Sequence, residues 1–194
     1  MTDSLTQPDT QHPRIVVLGY SPAAMLLRQP EGWEVTAIIA IGGMQEHCVE
    51  GYAPHRLDLI FDDVEVPDPN DMFQVHQAHA RRAFDELNGR STSPPTVEHA
   101  GAIIEFAHRV RDVGGILLCH CGAGISRSPA AALLCLATWM GPDREVESVR
   151  ELLRVRPVCA PHRDLVRFGD QLLKRNGKLV EALAKSIVRR SDLI

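Results

Sequence analysis

Ile116-Leu117-Leu118-Cys119-His120-Cys121-Gly122-Ala123-Gly124-Ile125-Ser126-Arg127-Ser128-Pro129-Ala130-Ala131-Ala132-Leu133-Leu134 is the stretch from which the fold is read. An apolar run enters a glycine-bearing loop, and the loop enters a segment of proline followed by small apolar residues. That order predicts a strand, a loop and a helix, with Ser128 as the N-cap and Pro129 at the first helical position. A buried strand that turns into a helix in this way is suited to holding an anion: loop N–H groups converge on it and the helix adds its positive end.

The residues in the loop give this cradle a chemistry. Cys121 opens it and Arg127 closes it, with five residues between them. The thiolate is the attacking form of cysteine, and the cradle supplies the positive potential that favours it. Gly122 and Gly124 are expected to take backbone conformations closed to other residues. With Ala123, Ile125 and Ser126 they supply the N–H groups that bind substrate. Arg127 offers a planar fork that matches two phosphate oxygens. Ser128 is placed to donate a hydrogen bond to the sulfur when it becomes a leaving group. His120, counted with the substrate-binding residues, either orients the loop by hydrogen bonds or merely ends the strand. Cys119, Cys135 and Cys48 read as buried small hydrophobes.

Working outward, strands are predicted at Arg14 to Leu18, Val35 to Ile41 and Leu57 to Phe61, the last from the alternation of Leu57, Leu59 and Phe61. A short helix is expected to end near Gln29. A helical pattern runs from Asp71 to Leu87 through Met72, Val75, His79, Ala83, Phe84 and Leu87, stopping at Asn88-Gly89. Thr96 caps a helix whose apolar face is Val97, Ala100, Ile103, Ile104, Ala107 and Val110. The helix after Pro129 is apolar on most sides, so it is expected to be central; Gly141-Pro142 stops it. Asp143 is expected to cap the next helix, through about Val155. Arg156-Pro157 and Pro161 break the chain before helices at 164–174 and about 179–188. Strands alternating with helices predict an α/β fold: a single domain with a central, mostly parallel sheet flanked by helices. The domain is expected over residues 14–194, after a disordered tail at 1–13.

Composition excludes several classes. The chain has 194 residues, a formal net charge of −4, 44% hydrophobic and 24% charged residues, ordinary values for a globular domain. There is no basic stripe, so a nucleic-acid partner is not expected. No apolar run is long enough to cross a bilayer, so no membrane partner is expected. The first dozen residues lack the apolar core of a signal peptide. Five cysteines without framework spacing indicate a reducing compartment, and the cytoplasm is the expected location. No sequence pattern specifies the oligomeric state.

The His120–Ser128 string resembles the His-Cys-five-residues-Arg-Ser/Thr signature of the cysteine-dependent protein tyrosine and dual-specificity phosphatases. The Ala-Gly-Ile-Ser-Arg-Ser run resembles most the dual-specificity branch and the small predicted tyrosine phosphatases of bacteria. The resemblance is strong over about residues 97–165, looser over 14–66, and absent from the first dozen residues and from about 68–93. It implies a dual-specificity-phosphatase-like fold and a phosphocysteine intermediate, with no metal or other cofactor. It also implies an aspartate after an upstream strand that protonates the leaving oxygen. Asp62-Asp63 follows Leu57–Phe61. Strands of this type in the family place the acid two positions past the last core-facing residue, which selects Asp63, with Asp62 as runner-up; a solvated acidic turn is the plain reading. Adjacent carboxylates also raise one another's affinity for a proton. Asp85 and Glu86 are further candidates, on a segment without a preceding strand.

The segment of about 67–95 is an insert relative to the family's smaller members. His76 and His79 lie one helical turn apart on it, too few for a metal site, and read as surface residues. Arg81-Arg82 is either a solvated face or a contact for an anionic substrate. The expected activity is that of a phosphomonoesterase acting on phosphotyrosine, with phosphoserine or phosphothreonine also open, in a phosphorylated protein or peptide. The alternatives are a non-protein phosphate ester (a phosphoinositide, a nucleotide or an RNA 5′ end) and a non-catalytic phosphate-binding adaptor. The absence of Lys and Arg between Cys121 and Arg127 counts against polyanionic substrates.

Overall fold

Four strands form the centre of the computed structural model, which describes residues 12–43, 48–51, 53–89 and 92–191. They are β1 (Arg14–Gly19), β2 (Val35–Gly42), β3 (His55–Ile60) and β4 (Ile116–Cys121). All pair in parallel, in the order β1-β4-β2-β3. The strand carrying the nucleophile candidate is therefore paired on both sides, and all six of its residues are buried. Residues 1–11 of the expected tail lie outside the described residues.

The α-helices among the described residues are α1 (Tyr20–Leu27), α2 (Met72–Leu87), α3 (Val97–Val110), α4 (Arg127–Met140), α5 (Glu145–Val155), α6 (Arg163–Leu172) and α7 (Lys178–Ser191). Strand alternation divides the core in two. Ile15, Val17, Ala37, Ile39, Leu117, Cys119 and Cys121 face the large core built with α3 to α7. Val35, Ile38, Ala40, Ile116 and Leu118 face a smaller one with Ala23 of α1. α4 is the hub. It packs against α3, α5, α6 and the sheet, and every residue from Arg127 to Trp139 is buried. Trp139 Nε1 donates to Ala107 O at 2.8 Å, which satisfies the one polar atom of a large apolar ring. A glycine at 169 lets α6 lie against Leu134, since a Cβ there would collide with that side chain.

Several expectations are corrected. β3 starts at His55 and ends at Ile60, leaving Phe61 as a fully buried residue just past the strand. α4 begins at Arg127, so Ser126 and not Ser128 occupies the N-cap, and Pro129 is the third helical residue. The N-cap of α5 is Arg144. Asp143 adopts φ 63 and its carboxylate accepts from Lys178 Nζ at 2.6 Å, tying that turn to α7 instead of capping α5. α2 forms where the pattern predicts it, with the Asp71 carboxylate accepting from Phe73 N–H and Gln74 N–H. Its apolar side, however, faces outward: Phe73, Phe84 and Leu87 are 70%, 62% and 88% exposed.

Candidate active site

Cys121 ends β4 on the side of the large core and is buried. The C-terminal ends of parallel strands are where ligands of open α/β sheets bind. Two polar groups stand at its sulfur. Ser128 Oγ lies 3.2 Å from Sγ, and Gly124 N–H points to Sγ at an N···S distance of 3.3 Å. The first turn of α4, with its positive end, begins six residues further on.

The loop has a shape that requires glycine at two positions, Gly19 and Gly124. Gly124 has φ +71, and a Cβ there would stand 2.5 Å from Gly19 N. At Gly19 a Cβ would stand 2.9 Å from Ala123 O. The end of β1 and the loop therefore touch backbone to backbone, sealed by Tyr20 N–H donating to Gly122 O at 2.9 Å. Gly122, expected to share the unusual conformation, is not in the positive-φ region. The N–H groups of Gly122, Ala123, Ile125 and Ser126 find no acceptor among the described residues, which leaves them for an anion. Arg127 is 5% exposed, and its Nη1 donates to Phe61 O at 3.1 Å. Phe61 is in turn stacked on His99 of α3 with ring centroids 4.8 Å apart.

That bond ties the loop to the turn that bears the candidate acids, and the two aspartates differ sharply there. Asp62 is joined to Ser93: its N–H donates to Ser93 O at 2.6 Å and its Oδ2 accepts from Ser93 N–H at 2.8 Å. Asp63 turns to the loop, where Oδ1 accepts from Ser126 Oγ at 2.6 Å. Its side chain remains 48% exposed. Asp85 and Glu86 make no hydrogen bond or ion pair with the loop; Asp85 is buried on α2 and Glu86 lies 3.6 Å from Arg82. Asp63, Glu65, Gln74, Gln77, Arg81 and Arg82 line a cavity of about 580 Å³ between α2 and the acid-bearing turn. The polar side of α2 thus overhangs the turn.

His120 points the other way from Cys121, as neighbours on a strand do. Neither ring nitrogen has a hydrogen-bond partner among the described residues. The reading in which it orients the loop by hydrogen bonds therefore gives way. Burial, helped by the positive charge of Arg56, pushes its pKa down to about 4. Burial likewise pushes the thiols of Cys119 and Cys135 up, so both are inert hydrophobes. Among the described residues no group of three or more His, Cys, Asp or Glu is placed to hold a metal ion, and no helix is long and apolar enough to cross a membrane.

Sequence reasoning missed a clamp. The segment between α5 and α6 binds the loop through Arg156 Nε to Gly124 O at 2.9 Å, Ala160 N–H to Ile125 O at 2.8 Å and His162 N–H to Ser126 O at 3.2 Å. Together with the first turn of α6 it binds the acid-bearing turn, through Val66 N–H to Asp164 Oδ2 at 2.7 Å and through His162 Nε2, 3.1 Å from Val64 O. The only signal in the sequence was the break at Arg156-Pro157 and Pro161.

No protein-family model matches the sequence, and no curated protein matches it. Solved structures do. The human tyrosine phosphatase-like serine/threonine/tyrosine-interacting protein superposes with a TM-score of 0.54 at 17% identity, over 81% of this chain and 89% of that one. The Yvh1 phosphatase domain from Chaetomium thermophilum does so with a TM-score of 0.52 at 18% identity, over 85% of this chain and 93% of that one. Identities this low speak to architecture alone, and they agree with the strand order and helix layers described above: the chain has the fold of the dual-specificity and tyrosine phosphatases.

Proposed function

We propose that this protein is a cysteine-dependent phosphomonoesterase that hydrolyses phosphotyrosine in proteins or peptides, and phosphoserine or phosphothreonine where they reach the loop. The observation that carries the reading is the Ser126–Asp63 hydrogen bond of 2.6 Å. It brings a carboxyl group from beyond β3 to the rim of a loop that already gathers a thiol, an arginine and a hydroxyl.

In this mechanism Cys121 Sγ attacks phosphorus as the bond to the ester oxygen breaks. Asp63 gives its proton to that oxygen, and the alcohol leaves. Water then attacks phosphorus, its proton passes to Asp63, the S–P bond breaks, and phosphate is released. Ser128 Oγ, 3.2 Å from the sulfur, stabilises the departing thiolate. Arg127 and the loop N–H groups bind the equatorial oxygens in both steps. Preorganised donors of this kind contribute about 3 kcal/mol each. Arg127→Lys is expected to lose at least about a hundredfold in kcat/KM, because a lysine cannot form the fork.

The cavity that Gln74, Gln77 and Arg81 line beside Asp63 supports substrates presented on a polypeptide. Cys119, Cys121 and Cys135 are buried free thiols, which supports a reducing, cytoplasmic setting. The test is a panel of phosphopeptides, phosphoinositides, nucleotides and small aryl phosphates with Cys121→Ser as control. Turnover of phosphotyrosine peptides that vanishes in Cys121→Ser supports the reading. Turnover that survives in that variant overturns the mechanism, and a preference for a non-protein ester overturns the substrate class.

A further inference from the structure

We infer that His162 is a positioning residue for Asp63: its imidazole, acting through the Val64 carbonyl, holds the acid-bearing turn against the phosphate-binding loop. The inference rests on the phosphatase reading above.

His162 is 4% exposed and stands at the start of α6. It touches both moving parts of the proposed chemistry. Its backbone N–H donates to Ser126 O at 3.2 Å. The hydroxyl of that same Ser126 donates to Asp63 at 2.6 Å. Its Nε2 lies 3.1 Å from Val64 O, one residue past the acid, and 3.8 Å from Asp63 Oδ1. His162, Ser126, Asp63 and Val64 thus close a ring of contacts across three segments of the chain, at residues 63–64, 126 and 162.

A carbonyl only accepts, so Nε2 is the donor in its contact with Val64 O. Nδ1 is buried without a partner among the described residues. Leaving a buried polar atom unpaired is costly. A phenylalanine would fill the same space without that cost. What the imidazole adds is the Nε2–H bond to Val64 O, which fixes the backbone next to Asp63 while leaving its carboxyl 48% exposed to substrate. The neighbouring clamp bond, from Val66 N–H to Asp164, holds the far end of the turn. Asp164 is itself paired with Arg167 at 2.9 Å. Val64 is therefore the position at which loss of one side chain frees the acid without releasing the whole turn.

The experiment compares 4-nitrophenyl phosphate, whose leaving group needs little protonation, with phenyl phosphate, whose leaving group needs much. Wild type, His162→Ala, His162→Phe and His162→Gln are assayed for kcat/KM on both, with inhibition by inorganic phosphate measured alongside. Gln places an amide N–H near the position of Nε2; Phe fills the cavity and donates nothing. The expected result is a rise of about tenfold or more in the nitrophenyl-to-phenyl ratio for Ala and Phe, recovery of most of it in Gln, and phosphate inhibition within about threefold of wild type throughout. An equal fall on both substrates, or an unchanged ratio, overturns the inference while leaving the phosphatase reading intact. Wild-type turnover that does not depend on Cys121 overturns the phosphatase reading first, and the inference with it.

Discussion

Neighbouring carboxylates at 62 and 63 illustrate how one register decides chemistry at the residue scale. Asp62 accepts from Ser93 and serves to anchor the chain; Asp63 accepts from Ser126 at the rim of the loop. Asp63→Asn is therefore expected to slow phenyl phosphate by about a hundredfold or more and nitrophenyl phosphate much less, and to flatten the acidic-to-neutral pH dependence. Asp62→Asn should lower stability, with no change in that leaving-group pattern. Steady-state kinetics on the two substrates check both. His120 gives a second expectation, for pH and stability. Its ring has an ordinary value of 6.5 unfolded and about 4 folded. The unfolded chain therefore binds the extra proton across that window, so stability is full above 6.5 and falls as the pH drops toward 4, by at most about 3 kcal/mol. Urea unfolding at pH 4.5 and 7.5 should show a smaller acid loss in His120→Gln than in wild type. Equal losses would assign the acid sensitivity to other groups.

At the scale of elements, helix α2 separates what periodicity reveals from what it hides. Spacing correctly predicted a helix over this segment, because apolar side chains one turn apart are a helical signal wherever they point. It did not say which way they face. The polar side covers the acid-bearing turn and the apolar side lies in solvent. Replacing Asp71–Leu87 with a short Gly/Ser linker should accordingly preserve the fold, since Met72, Phe84 and Leu87 are exposed. Nitrophenyl phosphate turnover is expected to stay within about tenfold, or about 1.4 kcal/mol, while the ranking among phosphopeptides changes. Circular dichroism melting and a phosphopeptide panel read the two outcomes. An unchanged ranking in a folded variant would mean that α2 takes no part in substrate choice. Ser126 shows the converse limit. The loop pattern identified it as a substrate-binding N–H, but its hydroxyl bond to Asp63 depends on a turn sixty-three residues away.

For the whole molecule, what was legible was local, and what was not depended on distant partners. Alternating strands and helices and the near-total apolarity of α4 announced the layered architecture, because strand and helix periods and the punctuation at Gly141 are written in consecutive residues. Cys121, Arg127 and Ser128 were legible as candidates for the same reason: one nine-residue string carries all three. The strand order β1-β4-β2-β3, the tethering of Asp62 to Ser93 and the clamp from Arg156 to Asp164 join segments remote in sequence. No periodicity records such pairs. The boundary at Arg127 was shifted for a related reason, since Ser126, whose carbonyl accepts from the distant His162 N–H, stands at the N-cap.

The central claim, a covalent phosphate on Cys121, is tested most directly by trapping it. Asp63→Asn lacks the base for the second step, so a substrate with a good leaving group should load the enzyme faster than water unloads it. The measurement is a rapid quench of that variant with nitrophenyl phosphate, followed by mass spectrometric location of the phosphate. The account predicts a burst of nitrophenol approaching one equivalent per enzyme, with phosphate on the Cys121 peptide and none in the Cys121→Ser protein. Phosphate on another residue, or hydrolysis by wild type with no Cys121-dependent burst in the variant, would contradict it.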